Sequence, residues 1–549
     1  MFRFIFKSLL PAALLIAVFL AASCKKTPEG GKAPNAVVFS CTIEGHKVSS
    51  GNSVSGAPTS NVHIDLEFSG AVDATKMDSE KIWFSNFGSF SVIQKDEYTL
   101  TMVLNGPLKE FTTYYVYILA GDYLGVHLIG DYSFGFTTSF DDSQDVFPRI
   151  STEELLTKVQ ERTFGYFWDY AHPVSGLARE RLNSGETVTT GGSGFGLMAI
   201  PVGIERGFIT REEGAERALK VVDFLQNKAV KYHGAFPHWI NGTSGNTIAF
   251  STYDNGADLV ETAFLMEGLL TLRAYFDKRD VTETAVRNGI TALWEAVEWD
   301  WFTRGGQNVL YWHWSPDYDW KMNMKISGWN EALIVYVLAA SSPKHRISKE
   351  VYDKGWASGV KNGKKFYDIT LPLGQDYGGP MFFAHYSFLG LDPSKLSDAY
   401  ANYWDQNVAH AKINHAYCAA NPKNKYGYSD ICWGLTASDY SGGYTASSPT
   451  NDTGTIAPTA AISSMPYTPE ESIAALEYFY YKLGKRLWGE YGFYDAFCLE
   501  DRWFASSYIA IDQGPIVCMI ENYRSGLLWD TFMTDPDVCR GLTNLGFSY

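Results

Sequence analysis

The 549-residue sequence carries 61 acidic and 45 basic side chains, which gives a formal net charge of −16. This acidic balance argues against nucleic-acid binding, because phosphate backbones are bound by basic patches. The length exceeds that of one ordinary domain, and a hydrophobic content of 46% supports a large core.

Residues 1–23 have the composition of a bacterial export signal. Arg3 and Lys7 precede an apolar run over 9–20, and small residues then lead to Cys24. The sequence LAASC resembles a bacterial lipobox, with Ala21 where Leu is usual, and the resemblance implies lipidation of Cys24. We expect a lipid-anchored protein of the cell envelope with a flexible tether over 24–34, facing either the periplasm or the outer surface. A plain secretory signal is the alternative.

Residues 35–141 are predicted to form a small β-sandwich. Alternating runs such as NVHIDLEFS and YTLTMVL are separated by turn residues. The segment resembles the bacterial Ig-like modules, whose F-x-TT ending corresponds here to FGFTTSF. It contains no cluster of catalytic residue types, so we interpret it as a spacer or accessory module.

Residues 151–549 are predicted to be mainly α-helical. Ser151 is followed three residues later by Glu154, which is a capping-box pattern. About a dozen helical runs follow, and pairing them by short turns predicts an α/α toroid whose long loops build a site. The runs nearest to the candidate site residues are 254–277, 329–340 and 514–525.

Three acidic residues occur together in TYDNGADLVETAF. Spacings of four and three place Asp254, Asp258 and Glu261 on one face of a predicted helix. Like charges on one face repel, and the segment contains no Lys or Arg. The cluster is either a solvated acidic face or a set of ligands for a polar substrate, and we favour the second interpretation.

The segment WDYAHPVSGLARER suggests a loop rim with polar ligands. It holds Asp169, Arg179 and Glu180, and the arginine could fork onto hydroxyls or a carboxylate. A purely structural turn is the alternative.

The segment YWHWSPDYDW concentrates aromatic residues in one short loop. Trp312, His313 and Trp314 are its candidate ligands, because sugars stack on rings that combine an apolar face with a polar edge. A loop folded over the core is the alternative.

Two acids are predicted near the starts of apolar helices. Glu331 follows Trp329, a candidate substrate ligand, and Asn330, a candidate N-cap. Asp512 precedes Pro515, which fits a first helical position. If the two acids lie about 6.5–9.5 Å apart, a water fits between them and hydrolysis inverts the anomeric centre. Burial beside Trp329 would raise the pKa of Glu331 and suit it to proton donation.

Other chemistries lack their motifs. The sequence contains no G-x-S-x-G, no Walker loop and no H-E-x-x-H. The histidines do not show metal-ligand spacing, and none of the six cysteines after Cys24 forms a C-x-x-C, so we expect neither a metal nor another cofactor.

Seven ordered blocks between residue 151 and the C-terminus resemble the bacterial glucoamylase-like family that includes the endo-β-1,2-glucanases. They are WDYAHPVSGLARER, TYDNGADLVETAF, SGWNEALIVYVLAASSPKH, GGPMFFAHYSFLGLD, WGLTASD, MPYTPEESIAALEYFY and AIDQGPIVCMIENYR. The resemblance implies an (α/α)6 toroid and inverting hydrolysis of β-1,2-glucan without a metal. It also implies Glu331 as general acid and Asp512 as general base. The remaining acids, which would bind sugar hydroxyls or supply the base instead, are Asp254, Asp258, Glu261 and Asp439.

The sequence thus predicts a monomeric hydrolase that releases sophorose or short β-1,2-linked gluco-oligosaccharides. A degenerate toroid that binds glycan without cutting it and a hydrolase acting on another glucan are the alternatives. The choice between internal and chain-end cleavage stays open.

Overall fold

The computed structural model describes residues 32–85 and 87–549. The predicted signal sequence, Cys24 and most of the tether lie outside the described residues. The chain divides into a unit that ends at Thr138 and a second unit over Ser139–Tyr549. Among the described residues, none of the helices is both long enough and apolar enough to cross a membrane.

The N-terminal unit is a β-sandwich, as predicted. A five-stranded antiparallel sheet and a four-stranded sheet enclose a core that includes Ile64, Leu66, Val116 and Phe136. Alternation of buried and more exposed residues along Thr113–Ile118 gives the sheet one apolar face. The five strands of the first sheet, in spatial order, are His46–Lys47, Val38–Ile43, His63–Phe68, Thr99–Leu104 and Phe90–Gln94. Those of the second are Ser53–Ala57, Tyr132–Thr138, Thr113–Ile118 and Ile82–Phe84. A smaller sheet contains Asn35–Ala36, Val126–Leu128 and Gly121–Tyr123.

The C-terminal unit is an (α/α)6 toroid, so the predicted fold class is confirmed. Segments that are buried nearly all round form its inner ring, because an apolar helix without a polar face needs neighbours on every side. The inner segments are Thr190–Glu205, Leu259–Tyr275, Leu333–Ser341, the 3-10 turns Met381–Ala384 and Tyr386–Phe388, Pro458–Ile462 and Ala510–Arg524. The amphipathic outer helices are Thr152–Trp168, Arg211–Asn227, Val281–Glu295, Tyr403–Ala420, Pro469–Tyr481 and Pro536–Leu545.

Glycine permits the closest contact between two inner helices. A Cβ on Gly194 would lie 2.1 Å from the carbonyl oxygen of Phe264, and a Cβ on Gly268 would lie 2.1 Å from that of Gly194. Any larger residue at either position would force these helices apart. The helices Thr190–Glu205 and Leu259–Tyr275 therefore pack backbone to backbone, and this contact fixes the loops at their N-terminal ends.

The sequence predicted the first residues of the helices correctly in only some cases. The capping box at Ser151 and Glu154 is confirmed. The prediction that Pro515 opens a helix is wrong, because the helix begins at Ala510 and includes Pro515 in its second turn. The predicted N-cap at Asn330 is also wrong: the helix begins at Leu333, and the Asn330 side chain accepts the Ala332 N–H at 3.0 Å in the preceding turn.

The loops of the toroid contain short β-strands. Thr187–Thr189, Trp239–Asn241 and Thr247–Ile248 form a three-stranded sheet, and Ala257–Asp258 pairs with His313–Trp314. The long loop that follows residue 436 contains a hairpin of Ala437–Tyr440 and Gly443–Ala446. These small sheets hold side chains from distant parts of the chain at one end of the inner ring.

Candidate active site

A cavity of about 430 Å³ opens beside the N-terminal ends of the inner helices. Its polar lining residues are Glu180, Arg181, Thr189, His238, Glu261 and Glu331. Its aromatic lining residues are Trp239, Phe250, Phe264, Trp312, Phe382, Tyr386 and Tyr444. Four of the acids or rings predicted from widely separated segments therefore meet in one cavity: Glu180, Glu261, Trp312 and Glu331.

Glu331 lies in the turn that precedes Leu333–Ser341. The Ser387 hydroxyl donates a hydrogen bond to the Glu331 carbonyl oxygen and fixes the backbone of this turn. Burial raises the pKa of the Glu331 carboxyl to about 7, and the charges of Glu261 and Asp258 add to the shift. A carboxyl with this pKa is half protonated near neutral pH and is suited to donate a proton.

The acids Asp254, Asp258 and Glu261 do not share a helical face, so that prediction is wrong. Asp258 is the N-cap of Leu259–Tyr275 and accepts the Val260 and Glu261 N–H groups, each at 3.0 Å. Capping by Asp258 starts the helix there and leaves Asp254 in the loop before it. Only Glu261 lies within the helix.

Two histidines contact these acids, and His238, whose pKa is raised to about 9, compensates part of their charge. The His238 Nδ1 atom lies 3.0 Å from a carboxylate oxygen of Asp258 and 3.6 Å from one of Asp254. Strand pairing of His313 with Asp258 brings the His313 Nε2 atom within 3.5 Å of Asp254 and 3.6 Å of Asp258. The sequence did not reveal this cluster, because the histidines lie on separate loops.

The three neighbouring groups Asp254, Asp258 and His238 have pKa values that are shifted in different directions. Burial opposes the charge of Asp258, but the hydrogen bond from His238 and the positive field of both histidines lower the pKa of Asp258 overall. Burial and the Asp258 charge raise the pKa of Asp254 to about 8. Burial alone would lower the pKa of His238, yet the negative charges of Glu261, Asp258 and Asp254 raise it to about 9.

The same cluster has a spacing that could accommodate a cation. One ligand atom each from His238, Asp254 and Asp258 lies within 4.8 Å of the other two. The contact of Asp258 with His238, and the protonation of Asp254, whose pKa is about 8, already reduce the negative charge of this cluster. These residues are the ones that could hold a metal, and the reaction proposed below does not use one.

Glu261 contacts the start of a neighbouring inner helix. The Gly191 N–H donates to the Glu261 carboxylate at 2.6 Å, from the first turn of Thr190–Glu205. Burial raises the pKa of Glu261, while the nearby His238 charge and the Gly191 hydrogen bond oppose the shift. Because Glu261 also lines the cavity, it is placed to accept a hydrogen bond from a ligand hydroxyl.

Arg181 makes the forked contacts that the sequence suggested for Arg179. Its Nε atom donates to Glu180 at 3.0 Å, and its Nη1 atom donates to the two oxygens of Asp439 at 3.1 and 3.2 Å. Arg179 instead lies over the Tyr170 ring, 4.7 Å from its centroid, and does not line the cavity.

Asp439 lies next to the cavity rather than in its wall. It lines an adjacent cavity of about 450 Å³, and the two cavities share Arg181 and Tyr444. Its backbone N–H donates to Asp495 at 2.7 Å. Asp439 thus joins the arginine to a second set of carboxyl groups.

Asp512 belongs to this second set. It lies in the first turn of Ala510–Arg524, is 1% exposed, and does not line the cavity directly. The Tyr386 hydroxyl, whose ring does line the cavity, donates to the Asp512 carboxyl at 3.5 Å. The Asp512 carboxyl is hydrogen-bonded to that of Asp495, and burial together with the charge of Asp495 raises its pKa well above the ordinary value.

Three other predicted ligands occupy structural positions. Asp169 is an exposed residue that ends the helix Thr152–Trp168. Trp314 packs against Trp301, with ring centroids 5.5 Å apart. Trp329 is 6% exposed and packs against aromatic rings of the core. The cavity contacts that the sequence analysis missed are Arg181, His238, Trp239, Phe250, Tyr386 and Tyr444.

Comparison with known proteins agrees with this architecture. The Glycoamylase family model, described as "Putative glucoamylase", matches residues 323–536. An exo β-1,2-glucooligosaccharide sophorohydrolase (non-reducing end) from Parabacteroides distasonis is 48% identical over 433 residues, which are 74% of this chain and 60% of that protein. The chain therefore spans about 60% of the length of this curated relative.

Solved structures also match most of the chain. A protein from Bacteroides uniformis ATCC 8492, described as "a putative glucoamylase", is 58% identical with a TM-score of 0.72, and the match covers 73% of this chain and 99% of that one. An endo-β-1,2-glucanase from Chitinophaga pinensis, solved with sophorotriose and glucose, is 50% identical with a TM-score of 0.71 and the same coverage of 73% and 99%.

The fold and the cavity define an α/α-toroid protein with carboxyl groups around a central, aromatic-lined pocket. The two solved structures are 58% and 50% identical to this chain and are matched over 99% of their own length, which shows the family as well as the fold. The chain belongs to the bacterial glucoamylase-like family that includes the endo-β-1,2-glucanases.

Proposed function

We propose that this protein is an inverting glycoside hydrolase that cleaves β-1,2-glucan and releases sophorose or short β-1,2-linked gluco-oligosaccharides. The names of its relatives support this substrate, since one is a sophorohydrolase and another is an endo-β-1,2-glucanase. The family description "glucoamylase" rests on a shared fold and does not by itself imply activity on starch.

The observation that carries the proposal is the environment of Glu331. Its carboxyl faces a cavity large enough for sugar rings, and its pKa of about 7 keeps a substantial protonated fraction near neutral pH. In the proposed reaction, Glu331 gives its proton to the glycosidic oxygen as the bond from that oxygen to the anomeric carbon breaks. The leaving sugar departs as an alcohol, and Glu331 remains ionised until it regains a proton.

The water that attacks the anomeric carbon requires a base on the opposite side of the ring. We assign this role to Asp512, with the Tyr386 hydroxyl as its link to the cavity. The water proton passes to the Tyr386 oxygen while the Tyr386 proton passes to Asp512, so the tyrosine ends unchanged. Attack from the face opposite the leaving group converts the β-linkage to an α-configured product.

The remaining lining residues suit a neutral, hydroxyl-rich ligand. Trp239 and Trp312 offer flat apolar faces on which sugar rings stack. Glu180, Glu261 and Arg181 offer acceptors and donors for sugar hydroxyls. This combination of a few polar groups on an aromatic surface is typical of small-molecule sites that select the orientation of the ligand as well as its shape.

A substrate panel with product sizing tests this proposal. The purified protein should release sophorose or short oligosaccharides from linear β-1,2-glucan and nothing from starch. Binding that does not change with time and produces no new reducing ends would favour a glycan-binding protein instead. Product from starch alone would assign the protein to another glucan.

We also propose that Cys24 carries a lipid anchor that holds the protein in the cell envelope. The motif LAASC supports this proposal. The full chain expressed in a lipoprotein-processing host should partition into detergent and incorporate labelled fatty acid. Cys24→Ser should abolish both, and labelling that persists in that variant would contradict the proposal.

We propose that the protein is a monomer, as expected for a toroid whose cavity is built from one chain. Light scattering coupled to size exclusion on the unlipidated protein should give the mass of a single chain. A stable dimer would contradict this.

A further inference from the structure

Asp495 and Asp512 form a pair of buried carboxyl groups at the inner end of the candidate site. Asp495 is 2% exposed and Asp512 is 1% exposed. Their side chains are hydrogen-bonded to each other. Oδ1 of Asp495 and Oδ2 of Asp512 are buried and have no hydrogen-bond donor from any other described group.

The remaining carboxyl oxygens of the pair are held by separate donors. Oδ2 of Asp495 accepts the Asp439 N–H at 2.7 Å, and Oδ1 of Asp512 accepts the Tyr386 hydroxyl at 3.5 Å. Each carboxyl is thus anchored on one side and turned towards its partner on the other.

A hydrogen bond between two carboxyl groups contains one proton. Two ionised carboxylates would place acceptors against acceptors and like charges in a water-poor site, which is strongly unfavourable. Two fully protonated carboxyls would need a second acceptor that the surroundings do not provide. The pair therefore holds one proton and one negative charge.

The charged and titratable groups around the pair agree with this single negative charge. Arg181 donates hydrogen bonds to Asp439 and Glu180. Its positive charge is therefore shared, and only part of it stabilises the negative charge of the Asp495–Asp512 pair. The Tyr386 hydroxyl donates to Asp512. Burial and the charge of Asp512 raise the pKa of Tyr386 and that of Tyr444 well above the ordinary value, so both hydroxyls are neutral.

We propose that Asp495 is a positioning residue that acts through Asp512 by sharing its proton and thereby holding Asp512 ready as the base. This inference rests on the proposed hydrolase function and deepens it. When the shared proton lies on Asp495, Asp512 is ionised and accepts the proton that leaves the attacking water through Tyr386. The pair then holds two protons, and Glu331 has lost one to the leaving sugar. Release of one proton from the pair and uptake of one by Glu331 restore the starting state.

The proposal explains how a buried acid with a raised pKa could serve as a base. Burial is the largest cause of the raised pKa of Asp512, and a protonated Asp512 could not accept the proton of the attacking water. Proton sharing stabilises the singly charged pair, because a charge-assisted O–H···O⁻ bond is about twice as strong as a neutral one. Addition of a second proton, which inactivates the pair, therefore requires a lower pH. The two apparent pKa values describe the pair as a whole.

The pH profile of Asp495→Asn tests the proposal through activity. The Asn amide still donates to Asp512, but a neutral bond replaces the shared proton. We expect the acid limb of kcat/KM to move to higher pH by about one unit, with the alkaline limb unchanged. Asp495→Ala should move the acid limb further. Asp501→Asn, an exposed acid bonded to Ser441, is the control and should leave both limbs in place. A lower kcat in Asp495→Asn with an unmoved acid limb would overturn the proposal.

Infrared spectroscopy tests it independently of turnover. Protein labelled with 13C-aspartate should show protonated carboxyl bands at neutral pH, one of them from Asp254, whose pKa is about 8. The Asp254 band is assigned by its loss in Asp254→Asn, and the band of the shared proton is the one that should be lost in Asp495→Asn and also in Asp512→Asn. The second variant keeps the test decisive if the first fails to fold. If every wild-type band persists in both variants, the shared proton is overturned. Loss of the band in a protein that hydrolyses no glucan would refute the proposed function while leaving the shared proton intact.

Discussion

The Tyr386 hydroxyl lies 3.5 Å from the Asp512 carboxyl, and the Tyr386 ring lines the cavity that also contains Glu331. Burial raises the pKa of Tyr386, and the charges of both acids raise it further. This tyrosine therefore connects the two halves of the proposed mechanism, which come from inner segments 181 residues apart in the sequence, since 512 − 331 = 181.

Tyr386→Phe should lower kcat by about 100-fold while changing KM little. The substitution removes the hydroxyl that links Asp512 to the cavity but keeps the ring, and general acid–base groups typically contribute about 10² to 10⁴-fold. Steady-state kinetics on β-1,2-glucan measure the effect. Phe382→Leu, in the same cavity wall but without a hydroxyl, is the control and should act mainly on KM.

Glu331→Gln should lose at least about 100-fold in kcat and keep its fold. Gln has nearly the same shape but cannot give a proton to the glycosidic oxygen. Rates with an activated aryl glycoside, whose leaving group needs little protonation, should fall much less. Equal losses on both substrates would argue that Glu331 binds substrate and that Asp258 or Glu261 supplies the acid.

Wild-type activity should decline as the pH rises through about 7, because Glu331 must be protonated and its pKa is about 7. In Glu331→Gln, the residual activity should lack this alkaline limb. The measurement is kcat/KM against pH in buffers of constant ionic strength. A wild-type rate that continues to rise above pH 8 would contradict the assignment.

The raised pKa of Glu331 also determines how the stability of the folded protein should change with pH. Folding raises the pKa of Glu331 from 4.5 to about 7, so the folded state binds more protons than the unfolded state between these values. Stability therefore falls as the pH rises through that window. Glu331→Gln should raise the free energy of unfolding at pH 8, on the order of 1 kcal/mol, and have little effect at pH 4. Denaturant unfolding at both pH values checks this, and stabilisation confined to pH 4 would contradict it.

Arg181→Lys should weaken substrate binding, because lysine cannot reproduce the fork onto Glu180 and Asp439. Charge-assisted hydrogen bonds contribute about 1.5–3 kcal/mol, so kcat/KM should fall by about tenfold or more. Arg179→Lys is the matched control, since Arg179 does not line the cavity. Comparable losses in both variants would point to a general destabilisation of the loop.

The sequence predicted those features that depend on local pattern. Helical periodicity and the Ser151 capping box indicated the toroid, and alternating strands indicated the sandwich. The sequence also indicated four residues that line the cavity. Glu331 precedes an apolar helix, Glu261 belongs to a cluster of acids, Trp312 lies in a loop dense in aromatic residues, and Glu180 lies in a polar loop.

The sequence could not predict contacts that depend on how distant loops meet. Asp495 lies in a loop with no motif, and only tertiary packing brings it to Asp512. His313 reaches Asp254 and Asp258 because a two-residue strand pairs with the segment that caps a helix. Trp314, the next residue in that strand, points to the opposite side and packs in the core.

The anomeric configuration of the first product tests the central claim most directly. Proton NMR of linear β-1,2-glucan during early hydrolysis should show new reducing ends as the α-anomer, before mutarotation produces the β-anomer, and Glu331→Gln should show neither. Initial appearance of the β-anomer, or no new reducing ends with the wild-type protein, would contradict inverting hydrolysis of this glucan.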